Sequence, residues 1–190
     1  MTDAVQPLFT RRTLLAALAM TAVFMLVLYL MGRPAWCEYG FGLWTAAQTR
    51  CTSQHIFDPY TLSHVSHGII FFWILWPLAS RTALHQRLIG ALALEIGWEV
   101  LENLPWTIDR YRQQTAALGY VGDSIVNSLA DVLATVVGFI FAARFSWKIS
   151  VATFLALELW LLYVARDNLT LNVLMLFFPV DAIKQWQLGG

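Results

Sequence analysis

Two histidines, His64 and His67, stand one helical turn apart, and three carboxylates, Glu95, Glu99 and Glu102, follow at i, i+4 and i+7 with Asn103 directly after. A second polar stripe, Asp123, Asn127 and Asp131, repeats the i, i+4, i+8 spacing that puts side chains on one helix face. Imidazole and carboxylate together suit two chemistries. They are ligands for zinc or a similar divalent cation, with His64, His67 and Glu99 as the candidate set and a coordination position left for water. Without a metal, a His oriented by Glu99 or Glu102 is a general base for a water or for Ser124. Arg166, with Arg110, Arg112 and Asn168, has the donors to hold a phosphate or carboxylate, and Asn127 or Asn103 could stabilise an oxyanion. Each feature also has a plain reading. The His pair can anchor a helix at a membrane interface, the carboxylate stripes can form a hydrogen-bonded helix-packing core, and Arg166-Asp167 can be a snorkelling pair.

The elements that must position these residues are membrane helices. Of 190 residues, 58% are hydrophobic and 13% charged, the net charge is zero, and nine Trp, twelve Phe and six Tyr are present. A soluble domain carries roughly a quarter charged residues. That deficit excludes an ordinary soluble domain and a disordered chain, and the absence of a basic stripe excludes a nucleic-acid partner. Aromatic rings in an apolar chain collect at bilayer interfaces. The pattern predicts an all-α, polytopic transmembrane bundle, one integral domain over 1–190. Its spans are 14–31, 63–79, 88–104, 123–143 and 149–165, about five in all. The run 169–178 is too short to cross and ends at Pro179, so it reads as an interfacial or re-entrant piece.

Basic residues divide evenly. Arg11, Arg12, Arg81, Arg87, Arg144 and Lys148 fall on one side, and Arg33, Arg50, Arg110, Arg112, Arg166 and Lys184 on the other. The short acid-free basic loops and the Arg11-Arg12 pair before an uncleaved first helix favour a cytoplasmic N-terminus and a periplasmic C-terminus. Cys37 and Cys51 then lie in the outer loop 32–62, where a disulfide persists. A lone carboxylate in hydrocarbon costs several kcal/mol, roughly 3 on the lenient scales. Glu95, Glu99, Glu102, Asp123, Asp131 and Glu158 must therefore converge. The arrangement expected is an outward-opening polar chamber, with Glu95, Asp131 and Glu158 in a deeper layer and His64, His67, Glu99, Glu102, Asp123, Asn127 and Arg166 in an upper one.

The runs His64-Val-Ser-His67-Gly68, Glu95-Ile-Gly-Trp98-Glu99-Val-Leu-Glu102-Asn103, Ile108-Asp-Arg110-Tyr111-Arg112, Gly122-Asp123-Ser124-Ile-Val-Asn127-Ser128 and Arg166-Asp167-Asn168 resemble an uncharacterised family of bacterial inner-membrane proteins, domain of unknown function 2585. The acidic third-helix motif followed by the Asp and Asn stripe is more distantly similar to VanZ-like membrane proteins. The resemblance implies an inner-membrane location and brings no reaction. Two functional classes remain: a hydrolase or transferase acting on a lipid, a lipid-linked precursor or a lipoprotein, and a non-enzymatic lipid-binding or accessory subunit of a larger membrane complex. The expected partners are membrane lipids and other membrane subunits.

Overall fold

The computed structural model describes residues 7–115, 117 and 119–189. Among these residues eight α-helices follow in order: α1 (Arg11–Leu30), α2 (Thr61–Ile74), α3 (Leu84–Glu102), α4 (Pro105–Gln114), α5 (Ile125–Arg144), α6 (Trp147–Ala165), α7 (Leu169–Phe177) and α8 (Asp181–Gln187). Among the described residues there is no strand, only an isolated bridge between Trp44 and Phe57. The fold is all-α, as composition and periodicity required.

Helix ends are written in the local sequence. Thr10, Ser124, Ser146 and Asn168 N-cap α1, α5, α6 and α7, each hydroxyl or amide oxygen accepting a first-turn N–H. Pro105 opens α4 at a position where its missing N–H is no loss. After Ile74 the chain tightens into a 3-10 turn over Trp76–Leu78 at Pro77.

Among the described residues, four helical stretches are long and apolar enough to cross a membrane: Arg11–Leu30, Thr61–Leu78, Ile125–Arg144 and Trp147–Ala165. Helix α3 has a matching length of 19 residues, but Arg87, Glu95, Glu99 and Glu102 keep it out of that set by composition. Its neighbours α1, α2 and α5 supply protein rather than lipid for those carboxylates. Outer faces are apolar where lipid would lie, with Leu15, Leu18 and Leu26 of α1 and Leu155, Leu159 and Trp160 of α6 exposed. Two apolar clusters fill the interior. Ile69, Phe72, Leu84, Leu88, Ala91, Phe139 and Ala142 form one, and Phe24, Leu28, Leu92 and Val132 the other.

The closest approach in the bundle is α2 against α5. A Cβ built on Gly68 would stand 2.0 Å from the Thr135 carbonyl oxygen, and one on Gly138 would stand 2.0 Å from that of Val65. Glycine on both sides lets the backbones touch, as small residues do in membrane bundles. One end of the bundle is covered by the segment between α1 and α2, by α4, and by α7 with α8. Cys37 and Cys51 of that segment are joined by a disulfide. Helix α7 packs on α4, and Lys184 of α8 donates to the Gln113 carbonyl, so the last segment folds back over this end instead of crossing. Helices α4 and α8 have no counterpart among the elements expected from sequence.

Candidate functional site

Helices α2 and α3 run antiparallel, which sets the first two turns of α2 opposite the last two of α3. The Glu95 carboxylate, fully buried, lies between two imidazoles. Its Oε1 is 2.5 Å from His64 Nδ1 and its Oε2 is 2.9 Å from His67 Nδ1. Glu99 Oε1 approaches His64 Nδ1 at 3.3 Å, and Asp131 Oδ2 of α5 approaches His64 Nε2 at 3.8 Å. The Thr135 hydroxyl donates to the His64 carbonyl at 2.8 Å, locking α5 to the residue that carries the imidazole. The His67 ring lies 5.5 Å from Phe71, stacked, and meets the edge of Trp98 at 5.4 Å.

An ionised carboxylate only accepts hydrogen bonds, so each Nδ1 carries the hydrogen it gives to Glu95. Glu95 thereby holds both rings from their Nδ1 side. His64, His67, Asp131 and Glu102 line a cavity of about 650 Å³, within the size range of small-molecule sites. Its upper wall comes from the covering segments: Tyr39, Arg50 and Ser53 before α2, Tyr111 and Tyr120 near α4, and Leu169 and Asn172 of α7. The Arg50 guanidinium lies 5.5 Å from the centre of the Tyr39 ring.

Above the imidazoles the acids are held by neutral donors. Tyr111 donates from its phenol to Glu102 at 3.2 Å and to Asn172 at 2.6 Å. Asp123 accepts from Asn103 Nδ2 at 3.1 Å and from the Tyr120 phenol, while its own N–H donates to Asn103 Oδ1 at 2.9 Å. Burial pushes the Asp123 carboxyl up to about 6 and the Asp167 carboxyl, beyond the end of α6, up to about 7. Burial, and then the Glu102 charge, raise the Tyr111 phenol well above its ordinary value.

Of the residues singled out from sequence, the structure brings His64, His67, Glu99, Glu102 and Asp123 to this chamber or its wall. Others hold backbone. Ser124 caps α5 and donates to the Gln54 carbonyl at 3.0 Å, and Asn127 reaches the Ile56 carbonyl at 3.5 Å. Arg110 donates to the Leu176 carbonyl at 3.0 Å, Arg112 to that of Tyr120, and Arg166 to that of Trp186 at 3.3 Å. None of these three arginines lines the cavity; among the described residues, Arg50 does. Asn168 caps α7. Glu158 stands apart from the imidazoles and binds the start of α7, accepting from the N–H groups of Leu169 and Thr170 at 3.0 Å each and from the Thr170 hydroxyl at 2.5 Å. The expected two-layer arrangement is thus redistributed: Glu95 joins the histidines, and Glu158 leaves for α7.

Reasoning on spacing missed Arg50, Tyr111, Tyr120 and the dual role of Glu95. The tyrosines and Arg50 come from connecting segments whose path no periodicity records. Glu95 had a signal, being seven residues before Glu102 on one stripe, but its depth hid the contact with His67. Among the described residues, three groups have ligand atoms close enough to share a metal: His64, His67 and Glu95; His64, Glu99 and Glu102; and Cys37, Cys51 and His55. The third is closed by the disulfide.

The family described as protein of unknown function (DUF2585) matches residues 28–189. Similar curated proteins, each named UPF0314 protein, occur in Brucella anthropi (48% identical over 176 residues, 92% of this chain and 90% of the relative) and Sphingopyxis alaskensis (47% over 178 residues, 93% and 95%). Another, from Rhizobium etli, is 50% identical over 164 residues, 85% of this chain and 84% of the relative. No solved structure matches.

Proposed function

The chain belongs to the DUF2585 family, and from the geometry of its buried His–carboxylate cluster we propose that it is an inner-membrane hydrolase or transferase acting on a lipid-like substrate. The observation that carries the reading is the sharing of Glu95 by both imidazoles, with His64, His67 and Glu102 on the wall of one cavity. An imidazole backed by a carboxylate takes a proton from a water or substrate hydroxyl. The resulting nucleophile attacks an ester or phosphodiester carried into the cavity, and Glu102 is placed to return a proton to the leaving oxygen. Arg50, stacked on Tyr39, supplies a fixed positive charge on the same wall for an anionic headgroup. The apolar outer faces set such a cavity beside lipid. We place the covering segments and the C-terminus in the periplasm and the N-terminus in the cytoplasm.

The test compares lipids of a deletion strain complemented with wild type or with Glu99→Gln, Glu102→Gln, Asp123→Asn, His67→Ala and Arg50→Gln. Loss of the lipid change or of the phenotype, at near-normal folded yield, supports the enzyme. Wild-type lipids and intact function in every variant refute it and leave an accessory subunit. Thiol labelling of intact cells before and after reduction checks the side on which Cys37 and Cys51 lie.

A further inference from the structure

We propose that the cavity takes an ethanolamine-type zwitterionic headgroup, a primary ammonium joined to a phosphate, with the ammonium among the carboxylates of the wall and the phosphate at Arg50. The proposal rests on the lipid reading of this cavity and names the headgroup that fits it.

Three observations carry it. First, the wall is acidic. Among the described residues it bears five carboxyl groups, on Glu38, Glu102, Asp123, Asp131 and Asp167, against one guanidinium, that of Arg50. The two histidines of the wall do not redress this. Glu95 holds both rings and Glu99 approaches His64 at 3.3 Å, so any charge they carry is already matched. A purely anionic headgroup meets like charge over most of this wall, which is costly, whereas one that brings its own cation does not.

Second, the wall acids are held by neutral donors rather than by a cation. Glu102 accepts from the Tyr111 phenol, Asp123 from the Asn103 amide and the Tyr120 phenol, and Asp167 from the Asn168 N–H and the Gln187 amide. Asp131 is 4% exposed; its Oδ2 lies 3.8 Å from His64 Nε2, and its Oδ1 has no hydrogen-bond partner among the described residues. A buried carboxylate oxygen without a donor is costly. A primary ammonium has three N–H donors to distribute among such acceptors, and a trimethylated one has none. Burial also holds the Asp167 carboxyl up at about 7, and an ammonium beside it favours the charged form.

Third, aromatic rings frame the same acids. Tyr111 and Tyr120 meet edge to face, their centres 5.4 Å apart and their planes at 83°, while their phenols are bonded to Glu102 and Asp123. Tyr60 and Trp98 line the cavity as well. Two rings at right angles beside carboxylates make a corner that attracts a cation through ring faces and charge together. Arg50, over the Tyr39 ring in the covering segment, offers its planar fork to the phosphate.

The full chain in detergent is titrated with short-chain phosphatidylethanolamine, phosphatidylcholine and phosphatidylglycerol, bound lipid is counted by native mass spectrometry, and soluble phosphoethanolamine serves as competitor. The ethanolamine lipid should bind at least about 10-fold tighter than either of the others, as loss of a hydrogen bond between charged groups implies. Displacement by soluble phosphoethanolamine supports a site for the headgroup alone, and its failure beside selective lipid binding supports one that also needs the acyl chains. Glu102→Gln and Asp131→Asn should each erase the preference over phosphatidylglycerol. Arg50→Gln should weaken both lipids about equally and keep their ratio, and Asp109→Asn, at an exposed acid outside the cavity, should change nothing. Equal or tighter binding of phosphatidylglycerol or phosphatidylcholine by the wild-type chain overturns the proposal, as does an unchanged preference in both Glu102→Gln and Asp131→Asn. Should variants fail to fold, the wild-type ratios alone decide. Selective ethanolamine binding by a chain whose deletion leaves lipids unchanged keeps the headgroup and removes the reaction, and a changed lipid profile without ethanolamine preference does the opposite.

Discussion

Replacing Gly68 or Gly138 by Ala should damage both the bundle and its polar chamber, whereas Gly97→Ala should help. At Gly68 the added methyl would stand 2.0 Å from the Thr135 oxygen and 2.6 Å from the Phe139 nitrogen, both backbone atoms that no rotamer change can move. Ordinary contacts of this kind start near about 3.5 Å, so α2 and α5 must part by on the order of 1 Å or more. A shift of that size breaks the 2.8 Å bond from Thr135 to the His64 carbonyl and opens the Phe72–Phe139 ring contact at 5.3 Å. Overpacking costs about 1–3 kcal/mol and the lost hydrogen bond about 1, together roughly 2–4 kcal/mol. For a chain of this length that lowers Tm by on the order of 10 °C. Gly97 is exposed in the middle of α3, with nothing within 4 Å of an added Cβ. Ala there should add up to about 1 kcal/mol from helix propensity. Thermal melts of the three variants in one detergent check the ranking. A Gly68→Ala chain melting within about 2 °C of wild type, or a Gly97→Ala chain as damaged as Gly68→Ala, would refute the claim that backbone contact at this crossing sets the geometry.

Two further outcomes follow from the covering end. Glu158→Ala strands two N–H groups and a hydroxyl at the start of α7 and should cost roughly 2–4 kcal/mol; hydrogen exchange ought to rise in 169–177 while α2 and α5 stay protected. Asp167, whose folded carboxyl titrates near about 7 because it is buried, binds its proton more tightly folded than unfolded. Its contribution to stability is complete below about 4, declines as pH rises, and is gone above about 7. Asp167→Asn should therefore gain on wild type between pH 5 and pH 8 in paired melts, and an unchanging difference across that range would contradict the burial argument.

The bundle was legible because hydrocarbon imposes few solutions. Uncharged runs such as 13–31 have to be helices of bilayer length, and the cost of buried charge forced the stripes of α2, α3 and α5 to face inward. Helix α4 was invisible for the opposite reason: Asp109, Arg110 and Arg112 make it polar, and its buried face is only Thr107, Ile108 and Tyr111, too short to read as a span. Asn127 and Ser124 look catalytic by type, yet they spend their polar atoms on the backbone of the segment before α2, because a helix start buried under a loop needs partners. The arginines follow the same logic. Carbonyls near the ends of α7 and α8 and in the segment at Tyr120 compete for guanidinium groups, and sequence position does not reveal which arginine reaches the cavity.

The segment closed by Cys37–Cys51 leads directly into the residues that fasten the start of α5. The Ser53 carbonyl accepts from Ser124 N–H at 2.9 Å, the Gln54 carbonyl from the Ser124 hydroxyl, and the Gln54 amide reaches the Gly122 carbonyl. The consequence is one of timing during biogenesis. Helix pairing around Gly68 and Gly138 needs only the lipid phase, so it can proceed as soon as α5 is inserted. The roof needs a thiol oxidant as well, to join Cys37 to Cys51. A cell that inserts this protein without oxidising it would accumulate a properly threaded bundle with an unfinished chamber, and the maturation step separating the two is electron removal rather than folding.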